Sequence, residues 1–235
     1  MSLRPGTGRV ATVGTGGTGG LEIRMTTAPV RGQHRGVTQS LITDRLVLRV
    51  LTPDDAGHLT ALDADPRVMR HLTGGRATPG EVVEREVLPR MLGCRDRHAS
   101  LGYFAAEERA GGAFVGWFEF RPVDERNPLD EVELGYRLRH AAWGRGYATE
   151  GALALLRRGF TELGVRRVTA TTMAVNTGSR RVMEKAGLRH VRTFHESWPD
   201  PIEGAEHGDV EYALEAADWI RAQTASGGPS GILGA

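Results

Sequence analysis

A short glycine-containing segment in the second half of the chain has the features of a phosphate-binding loop. It follows a predicted strand over 131–138 and contains Gly144 and Gly146, and a helical pattern starts near Thr149. A strand that leads through glycines into a helix presents unpaired backbone N–H groups at the positive end of the helix dipole. Such a segment can bind the phosphates of a substrate or cofactor, because glycine lets them approach the main chain closely.

The glycines alone leave another interpretation open, in which they only make a tight connection between strand and helix. The segment also does not match the two best-known phosphate loops. The chain has no G-x-x-x-x-G-K-[ST] motif, and no G-x-G-x-x-G motif followed about twenty residues later by an acidic side chain. These absences argue against nucleoside triphosphates and dinucleotides as ligands.

The segment resembles the acyl-CoA pyrophosphate loop of the GNAT N-acetyltransferase superfamily, which reads [QR]-x-x-G-x-[GA]. Trp143 occupies the first position of that motif, and Gly146 and Ala148 occupy the last two conserved positions. The tryptophan and the flanking sequence GYATEGA are typical of the branch that contains the ribosomal-protein alanine N-acetyltransferases. Residues 43–49 resemble the first strand of the same branch, which reads T-[DE]-R-L-x-L-R, and the similarity extends over about residues 41–219.

The resemblance implies that the chain moves an acetyl group from acetyl-CoA to a primary amine, which attacks directly in a ternary complex. The pyrophosphate is expected to bind backbone N–H groups of the loop and the helix start, namely Gly144, Arg145, Gly146, Tyr147, Ala148 and Thr149. The Arg145 side chain is expected either to add a charge-assisted contact or to lie in solvent.

The pantetheine arm is expected, by the same similarity, to pair like an added strand with the main chain of Tyr136, Arg137 and Leu138. One of these N–H groups would polarise the thioester carbonyl. Gly135 is expected to form a bulge that frees these groups from ordinary strand pairing.

Asn176 and Ser179 match the N-x-x-S motif that follows the fifth strand in the family. The resemblance implies that the Asn176 side chain contacts the CoA arm and that Ser179 lies near the sulfur. Asn176 is also well placed to cap the helix that starts beside it, and the two roles are compatible.

Glu133 is the expected general base, because this branch often carries glutamate there and a water can bridge it to the amine. The alternative is a solvent-facing or ion-paired Glu133. Some family members use an acid on the next strand, where this chain has Thr171, and many place a tyrosine general acid where it has Met183. Ser179, a water or no specific group is therefore expected to protonate the thiolate, which needs little help at a pKa of about 8.5.

The apolar periodicity predicts an α/β (α+β) fold with the element order β-α-α-β-β-β-α-β-α-β-β. This order fits a single domain with one mixed, mostly antiparallel seven-stranded sheet and helices on both faces. The two strands around the loop would be parallel, and the resemblance implies that they splay apart to admit the acyl-CoA arm. Smaller predictions are a capping box at Thr78 and Glu81, a kink or early end at Pro89, and a turn over 65–68.

Composition limits the domains and partners. Residues 1–40, rich in Gly, Thr and Arg, are expected to form a flexible tail, 41–221 the acetyltransferase domain, and 222–235 a second tail. The formal net charge of +1 gives the whole chain no attraction to nucleic acid or membranes. The single cysteine, Cys94, excludes an intramolecular disulfide, and no apolar run has transmembrane length, so we expect a cytoplasmic protein.

The acceptor stays open among protein N-termini, small amines and antibiotics. The acidic loop over 200–209 could attract a cationic amine or could simply be solvated. The histidines do not cluster at metal-ligand spacing, so no metal is expected. A non-catalytic acyl-CoA-binding regulatory module is the alternative function, and a nucleic-acid-binding role rests only on arginines of the N-terminal tail. A homodimer through the sheet edge or the C-terminal strands is common in the family.

Overall fold

The computed structural model describes residues 40–98, 100–196 and 200–226, and within these ranges eight strands form one sheet. The strands are β1 (Leu41–Ile42), β2 (Leu46–Val50), β3 (Gly102–Glu108), β4 (Phe114–Pro122), β5 (Glu131–Leu138), β6 (Arg167–Met173), β7 (Arg189–Phe194) and β8 (Asp209–Glu215). Their order in the sheet is β1-β2-β3-β4-β5-β6-β8-β7. All described neighbours are antiparallel except β5 and β6.

The mixed, mostly antiparallel sheet confirms the predicted fold class. The additional strand is β1, whose two residues pair with β2. Two residues are too few to show the alternation that identifies a strand in a sequence.

Within the described residues, seven α-helices cover the two faces of the sheet. They are α1 (Ala56–Asp63), α2 (Pro66–Thr73), α3 (Gly80–Val82), α4 (Leu88–Arg97), α5 (Tyr147–Arg158), α6 (Thr177–Lys185) and α7 (Ala216–Ser226). One apolar cluster joins α1, α2 and α4 to Trp117, and a second joins α5 and α6 to Phe118. Trp117 and Phe118 point to opposite faces because successive side chains alternate along a strand.

The turn predicted over 65–68 is the start of α2. Asp65 caps this helix, and its carboxylate accepts a hydrogen bond from the Arg67 N–H at 3.0 Å. Pro66 occupies the first helical position, where its missing N–H costs nothing. The prediction of a turn was wrong because this Asp-Pro pair is a helix start.

The chain continues as a helix through Pro89. A π-helical segment, Val83–Val87, joins α3 to α4, and Pro89 lies in the first turn of α4. Proline lacks the N–H that would donate within the helix, and its ring crowds the carbonyl group one turn earlier. The wider π turn before Pro89 makes room for this ring. The expected capping box at Thr78 does not form, because α3 begins at Gly80 with Pro79 in the cap position and no side-chain cap bond.

The last described residues belong to a helix. The described residues 222–226, which were assigned to a flexible tail, form the end of α7. Trp219 of this helix packs on Phe160 with ring centroids 5.6 Å apart. The rest of the two expected tails, residues 1–39 and 227–235, lies outside the described residues.

The parallel strands β5 and β6 pair at only one end. Their register joins Glu131, Val132 and Glu133 to Arg167, Val168 and Thr169, and no described pair continues it. The strands therefore part after Glu133, so that the second half of β5 has a free edge on this side. This is the splay that the resemblance implied.

Candidate active site

The loop between β5 and α5 has the conformation that its glycines permit. Gly144 and Gly146 have φ angles of 73° and 82°, in the left-handed region that favours glycine. The helix begins at Tyr147, two residues before the predicted start, with Gly146 as its cap residue. The N–H groups of this first turn have no partner within the helix, and its residues Tyr147, Ala148 and Thr149 line the cleft described below.

Trp143 fastens this loop to the strand that precedes it. Its indole N–H donates to the Leu138 carbonyl oxygen at 2.9 Å, while 47% of the residue is exposed. The tryptophan side chain therefore links the loop to the end of β5 by a hydrogen bond. The family motif has glutamine or arginine at this position.

Residues 43–49, which resemble the first strand of the family branch, contact the loop and the start of α5. The Glu150 carboxylate accepts hydrogen bonds from the Thr43 hydroxyl at 2.6 Å and from the Arg45 backbone and side chain at 2.8 and 2.7 Å. Arg45 also donates to the Arg145 carbonyl oxygen at 2.8 Å. Burial opposes the ionisation of Glu150, but these hydrogen bonds outweigh it and lower its pKa. Residues 43–49 and the segment GYATEGA, which both resemble the family branch, are therefore in contact.

Arg145 does not face the cleft. Its guanidinium lies 2.9 Å from Glu108 and stacks over the Tyr147 ring at 4.7 Å, and the residue is absent from the cleft lining. The ion pair with Glu108 explains this placement, which corrects the expectation of a side-chain contact to pyrophosphate. Arg181 and Lys185 of α6 are cations that do line the cleft, and neither has an ion pair to a described residue.

The cleft has a volume of about 960 Å³ and lies between the loop, the free edge of β5, the start of α6 and the end of α2. A cleft of this size accommodates a large cofactor. The predicted site residues that line it are Tyr136, Arg137, Leu138, Gly144, Gly146, Tyr147, Ala148, Thr149, Asn176 and Ser179. The structure therefore brings most of the predicted site together.

The register of β5 decides which main-chain groups face the splay. The Arg139 N–H donates to Val115 and the Val123 N–H donates to Glu131, both at 2.9 Å. Main-chain groups alternate in direction along a strand, so the odd-numbered residues of β5 bond to β4. Arg137 therefore cannot offer its N–H to a ligand in the gap, which corrects that prediction. Tyr136 and Leu138 can.

Gly135 does not form a bulge. The register between β4 and β5 is regular, and Gly135 lies directly opposite Glu119. A Cβ atom at Gly135 would lie 2.4 Å from Glu119 Oε1, so the glycine provides the space that this carboxyl group occupies. Close approach of a side chain is the other common reason for glycine within a strand.

Glu119 is a residue that the sequence reasoning missed. It is 4% exposed, and burial together with the nearby Glu133 raises its pKa to about 7, while Arg121 and a hydrogen bond from Tyr103 act in the opposite direction. The signal was present as a lone acidic residue inside the apolar run FVGWFEF.

Glu133 is ion-paired, as its alternative interpretation stated. Its carboxylate contacts the Arg121 guanidinium, and its other oxygen lies 3.5 Å from the Thr171 hydroxyl. It lines neither the cleft nor a smaller cavity of about 140 Å³, which Thr171 does line. A base role for Glu133 therefore requires a water or the Thr171 hydroxyl as a bridge.

Asn176 and Ser179 are held together at the start of α6. The Asn176 side-chain oxygen caps the helix by accepting from the Ser179 N–H at 3.1 Å, and its amide donates to the Thr172 hydroxyl at 3.1 Å. The Ser179 hydroxyl lies 3.0 Å from the Tyr136 phenol oxygen. The capping interpretation of Asn176 is therefore confirmed. Asn176 also lines the cleft, so the cap is compatible with a contact to a ligand there.

Met183 and Cys94 have no access to this site. Met183 is fully buried in the core, and its thioether has no proton to give to a leaving group. Cys94 is a buried residue of α4, and burial raises the pKa of its thiol.

The acidic loop forms part of the cleft wall, and two of its carboxylates, Glu203 and Asp200, lie near arginines. Glu203 and Glu206 line the cleft, and they lie 3.5 Å from Arg70 and His207 respectively. Asp200 pairs with Arg76 at 2.7 Å beside the smaller cavity. The part of the chain that the structure describes contains no cluster of three or more potential metal-ligating side chains. None of the described helices has the length and apolarity needed to span a membrane.

Comparison with known proteins identifies relatives of the whole fold. The family model described as the acetyltransferase (GNAT) domain matches residues 45–189. The chain is 36% identical over 193 residues to the FsC-acetyl coenzyme A-N(2)-transacetylase of Aspergillus fumigatus, a match that covers 80% of each chain.

Solved structures share the fold at lower identity. A ribosomal L7/L12 alpha-N-protein acetyltransferase, RimL, in complex with coenzyme A superposes with a TM-score of 0.64 and 16% identity, covering 77% of this chain and 99% of that one. A spermidine N-acetyltransferase from Vibrio cholerae in complex with CoA and spermine gives a TM-score of 0.61 and 15% identity, covering 76% of this chain and 99% of that one. With the matched family model, the sheet topology and the splayed strands beside a glycine loop, these similarities establish that the chain belongs to the GNAT acetyltransferase family.

Proposed function

We propose that this enzyme transfers an acetyl group from acetyl-CoA to a primary amine by direct attack in a ternary complex. The observation that carries the proposal is the cleft of about 960 Å³, which joins the free N–H groups of the α5 start to the free edge of β5. A pyrophosphate at the helix start and a pantetheine arm along the strand would use both surfaces at once.

The donor is bound by main-chain groups and by cations of α6. Gly144, Gly146 and the first turn of α5 would hold the pyrophosphate, and Arg181 and Lys185 would add positive charge. Both cations line the cleft without an ion pair to the described residues, which supports this assignment. Asn176 would contact the arm while it caps α6.

The thioester lies, in this proposal, beside the N–H groups of Tyr136 and Leu138. The Leu138 carbonyl oxygen is already bonded to Trp143, so its N–H is the group left for a ligand. A donor fixed by the sheet stabilises the oxyanion of the tetrahedral intermediate without reorganisation. Ser179 would lie near the sulfur, and Glu133 stays the predicted general base, acting through a water or the Thr171 hydroxyl.

The acceptor is proposed to be a small amine or a protein N-terminus. The Aspergillus fumigatus relative, which is 36% identical to this chain, is named for acetyl transfer at an N(2) position, and this favours a nitrogen acceptor. The names of the two structural relatives specify a protein N-terminus and a polyamine, but those similarities support only the fold. Glu203 and Glu206 in the cleft lining favour an acceptor that arrives as a cation.

The test is the release of free thiol from acetyl-CoA in the presence of peptides, polyamines, small N(2)-type amines and aminoglycosides. Gly146→Glu places an anion in the phosphate loop at a position with φ of 82° and is expected to abolish binding and release. Gly164→Glu is the matched control, because Gly164 has φ of 77°, open space around it and no contact with the cleft.

Release with one acceptor class, lost in Gly146→Glu and retained in Gly164→Glu, would establish the activity. Acetyl-CoA binding without release for any amine would instead favour a non-catalytic acyl-CoA-binding module. Absence of acetyl-CoA binding would overturn the proposal.

A further inference from the structure

The Arg137 guanidinium is buried and has hydrogen-bond donors without a partner in the described part of the chain. The residue is 7% exposed. Its Nη1 donates to the carboxylate of Asp63 in α1, and its Cζ lies over the Trp117 ring, 5.1 Å from the centroid. Within the described residues, Nε and Nη2 have no acceptor. Because buried donors are normally satisfied, these groups are expected to meet an oxygen that the described chain does not supply.

The side chain of Arg137 is the part of the residue that reaches the cleft. Its main-chain groups face β4, where the residue lies opposite Trp117 and its carbonyl oxygen lies against Gly116. Arg137 nevertheless lines the cleft. The side chain therefore supplies that lining, and a ligand in the cleft can accept from its free donors.

The cleft extends past the free edge of β5 to both faces of the sheet, because α6 lines it on one face and α2 on the other. Side chains alternate along β5. Tyr136 points to the face of α6, where its hydroxyl contacts Ser179, and Arg137 points to the opposite face, where it contacts Asp63. The proposed donor site belongs to α5 and α6, so Arg137 lies on the face that is left for the acceptor.

Arg137 also lies next to the proposed position of the thioester. Along β5 it falls between Tyr136 and Leu138, whose N–H groups point into the gap. An attacking amine must come within about 3–3.5 Å of the thioester carbon. A group bound to the Arg137 side chain would therefore belong to the same acceptor molecule as the amine, a few bonds away from it.

The charges around Arg137 favour a neutral oxygen over a carboxylate. Asp63 is 3% exposed and balances the charge of Arg137, so the buried pair is neutral as a whole. Glu203 and Glu206 also line the cleft, and they would repel an anionic acceptor. A carbonyl oxygen accepts a charge-assisted hydrogen bond from the guanidinium without bringing a further negative charge.

We infer that the Arg137 side chain binds a carbonyl oxygen of the acceptor, and that the acceptor carries this neutral carbonyl group next to its amine. Amides and esters of α-amino acids have this chemistry, and so does the first residue of a peptide. Free amino acids, polyamines and alkylamines do not. The inference rests on the proposed function, because it takes an amine as the second substrate in the cleft. Asp63 is a positioning residue, because it holds the guanidinium and does not contact the acceptor.

The first measurement compares thiol release from acetyl-CoA with L-alaninamide, L-alanine and 3-methylbutan-2-amine at equal concentrations of unprotonated amine. These acceptors share a methyl group and an amine, and they differ in carrying an amide, a carboxylate or an isopropyl group. We expect kcat/KM for L-alaninamide to exceed that for the alkylamine by about 10- to 100-fold, the loss for one hydrogen bond to a charged group. L-Alanine is expected to be a poorer acceptor than L-alaninamide because of its negative charge.

The variant that tests the residue combines Arg137→Met with Asp63→Leu. Both charges are removed together, because loss of one partner would leave the other buried and unpaired. We expect kcat/KM for L-alaninamide to fall by about 10- to 100-fold, with that for 3-methylbutan-2-amine and the KM for acetyl-CoA unchanged. A merely structural role of the pair would lower the turnover of both amines by the same factor.

Arg49→Met with Asp55→Leu is the matched control. Asp55 is also buried and accepts from the Arg49 guanidinium, and this pair likewise joins a strand to the region of α1. Neither residue lines the cleft or the smaller cavity. The control is expected to keep the wild-type ratio of kcat/KM between L-alaninamide and the alkylamine.

A larger acceptor distinguishes the two sources of this chemistry. A tripeptide amide that begins with alanine is compared with its reduced analogue, in which a methylene group replaces the first carbonyl group. The intact peptide is expected to exceed the analogue by the same factor of about 10 to 100. Faster turnover of the peptide than of L-alaninamide would identify a peptide N-terminus as the source, and slower turnover a small molecule; both results support the carbonyl site.

Equal kcat/KM for acceptors with and without the carbonyl group would overturn the inference and leave the proposed function intact. Release only with amines that carry no carbonyl group would do the same. Turnover of L-alanine at or above that of L-alaninamide would overturn the assignment of a neutral oxygen. Absence of thiol release with every amine would contradict the proposed function itself.

Discussion

Glu119 is a carboxyl group in the interior of the sheet, and its neighbours determine when it carries charge. Arg121 lies 3.6 Å from it and also contacts Glu133, so two carboxyl groups share one guanidinium. Tyr103 and Cys94 approach the same group of charges from β3 and α4. With burial, this arrangement raises the pKa of Glu119 to about 7, and the two carboxyl groups titrate as a pair.

The raised pKa predicts how stability depends on pH. The folded protein keeps the Glu119 proton up to a pH of about 7, whereas an ordinary glutamate loses it at 4.5. Stability from this group is therefore complete below pH 4.5 and is lost as the pH rises through 7. Glu119→Gln removes this loss, so we expect its stability relative to the wild type to increase over that interval by on the order of 2 kcal/mol.

The measurement is urea unfolding of the wild type and Glu119→Gln across this pH range. Glu162→Gln, at an exposed glutamate, serves as the control and is expected to follow the wild type. A constant difference between Glu119→Gln and the wild type at every pH would contradict the assignment.

At the scale of elements, α5 is the helix that follows the glycine loop. One glycine within α5 and one directly after it allow the helix to pack closely against the sheet. A Cβ atom at Gly151 would lie 2.2 Å from Phe118 Cζ, and one at Gly159 would lie 2.6 Å from Phe120 Cζ. Both phenylalanines belong to β4, which is the neighbour of β5 in the sheet. The distance between helix and sheet is therefore set by these two close contacts.

Gly151→Ala is expected to destabilise the fold by about 1–3 kcal/mol, because the added methyl group overpacks the contact with Phe118. Gly57→Ala is the matched control, since Gly57 is an exposed helical glycine in α1 with nothing within 4 Å of its Cβ position. The control is expected to gain roughly 0.5 kcal/mol from helix propensity. Chemical unfolding measures both, and equal effects of the two substitutions would show that α5 is not closely seated.

At the scale of the whole molecule, the sheet consists of two parts that meet over a short contact. Strands β1 to β5 form one part and β6, β8 and β7 the other, joined by three residue pairs between β5 and β6. The cleft opens where the two parts diverge, and its lining comes from both of them. A ligand in the cleft would bridge the parts.

Acetyl-CoA is therefore expected to raise the thermal unfolding temperature. Ligand at 100 times its Kd adds about 2.7 kcal/mol to the stability of the folded state. For a domain of this size that corresponds to an increase in Tm of roughly 5–10 °C. Differential scanning fluorimetry measures this shift, which is expected to vanish in Gly146→Glu and to persist in Gly164→Glu. An equal shift in both variants would mean that the ligand binds elsewhere.

The sequence by itself determined the fold class, most of the strands and the conformation of the glycine loop before α5. These features depend on short-range patterns: alternation along strands, glycines that permit left-handed backbone, and motifs whose members lie a few residues apart. Gly144, Gly146, Asn176 and Ser179 are predicted in this way to share one site, and all four line the cleft, because local conformation decides their positions. Local rules that compete with one another gave the errors at Pro66 and Thr78.

Tertiary structure alone decided the contacts between distant segments. The pairing of Glu150 with Thr43 and Arg45, the placement of Glu119 opposite Gly135, and the hydroxyl pair of Tyr136 and Ser179 each join residues that are far apart in the chain. The direction of the Arg137 N–H and the ion pairs of Arg145 and Glu133 likewise follow from strand register and packing. Periodicity gives the face of a strand on which a side chain lies, but register and the neighbouring elements decide what that side chain meets.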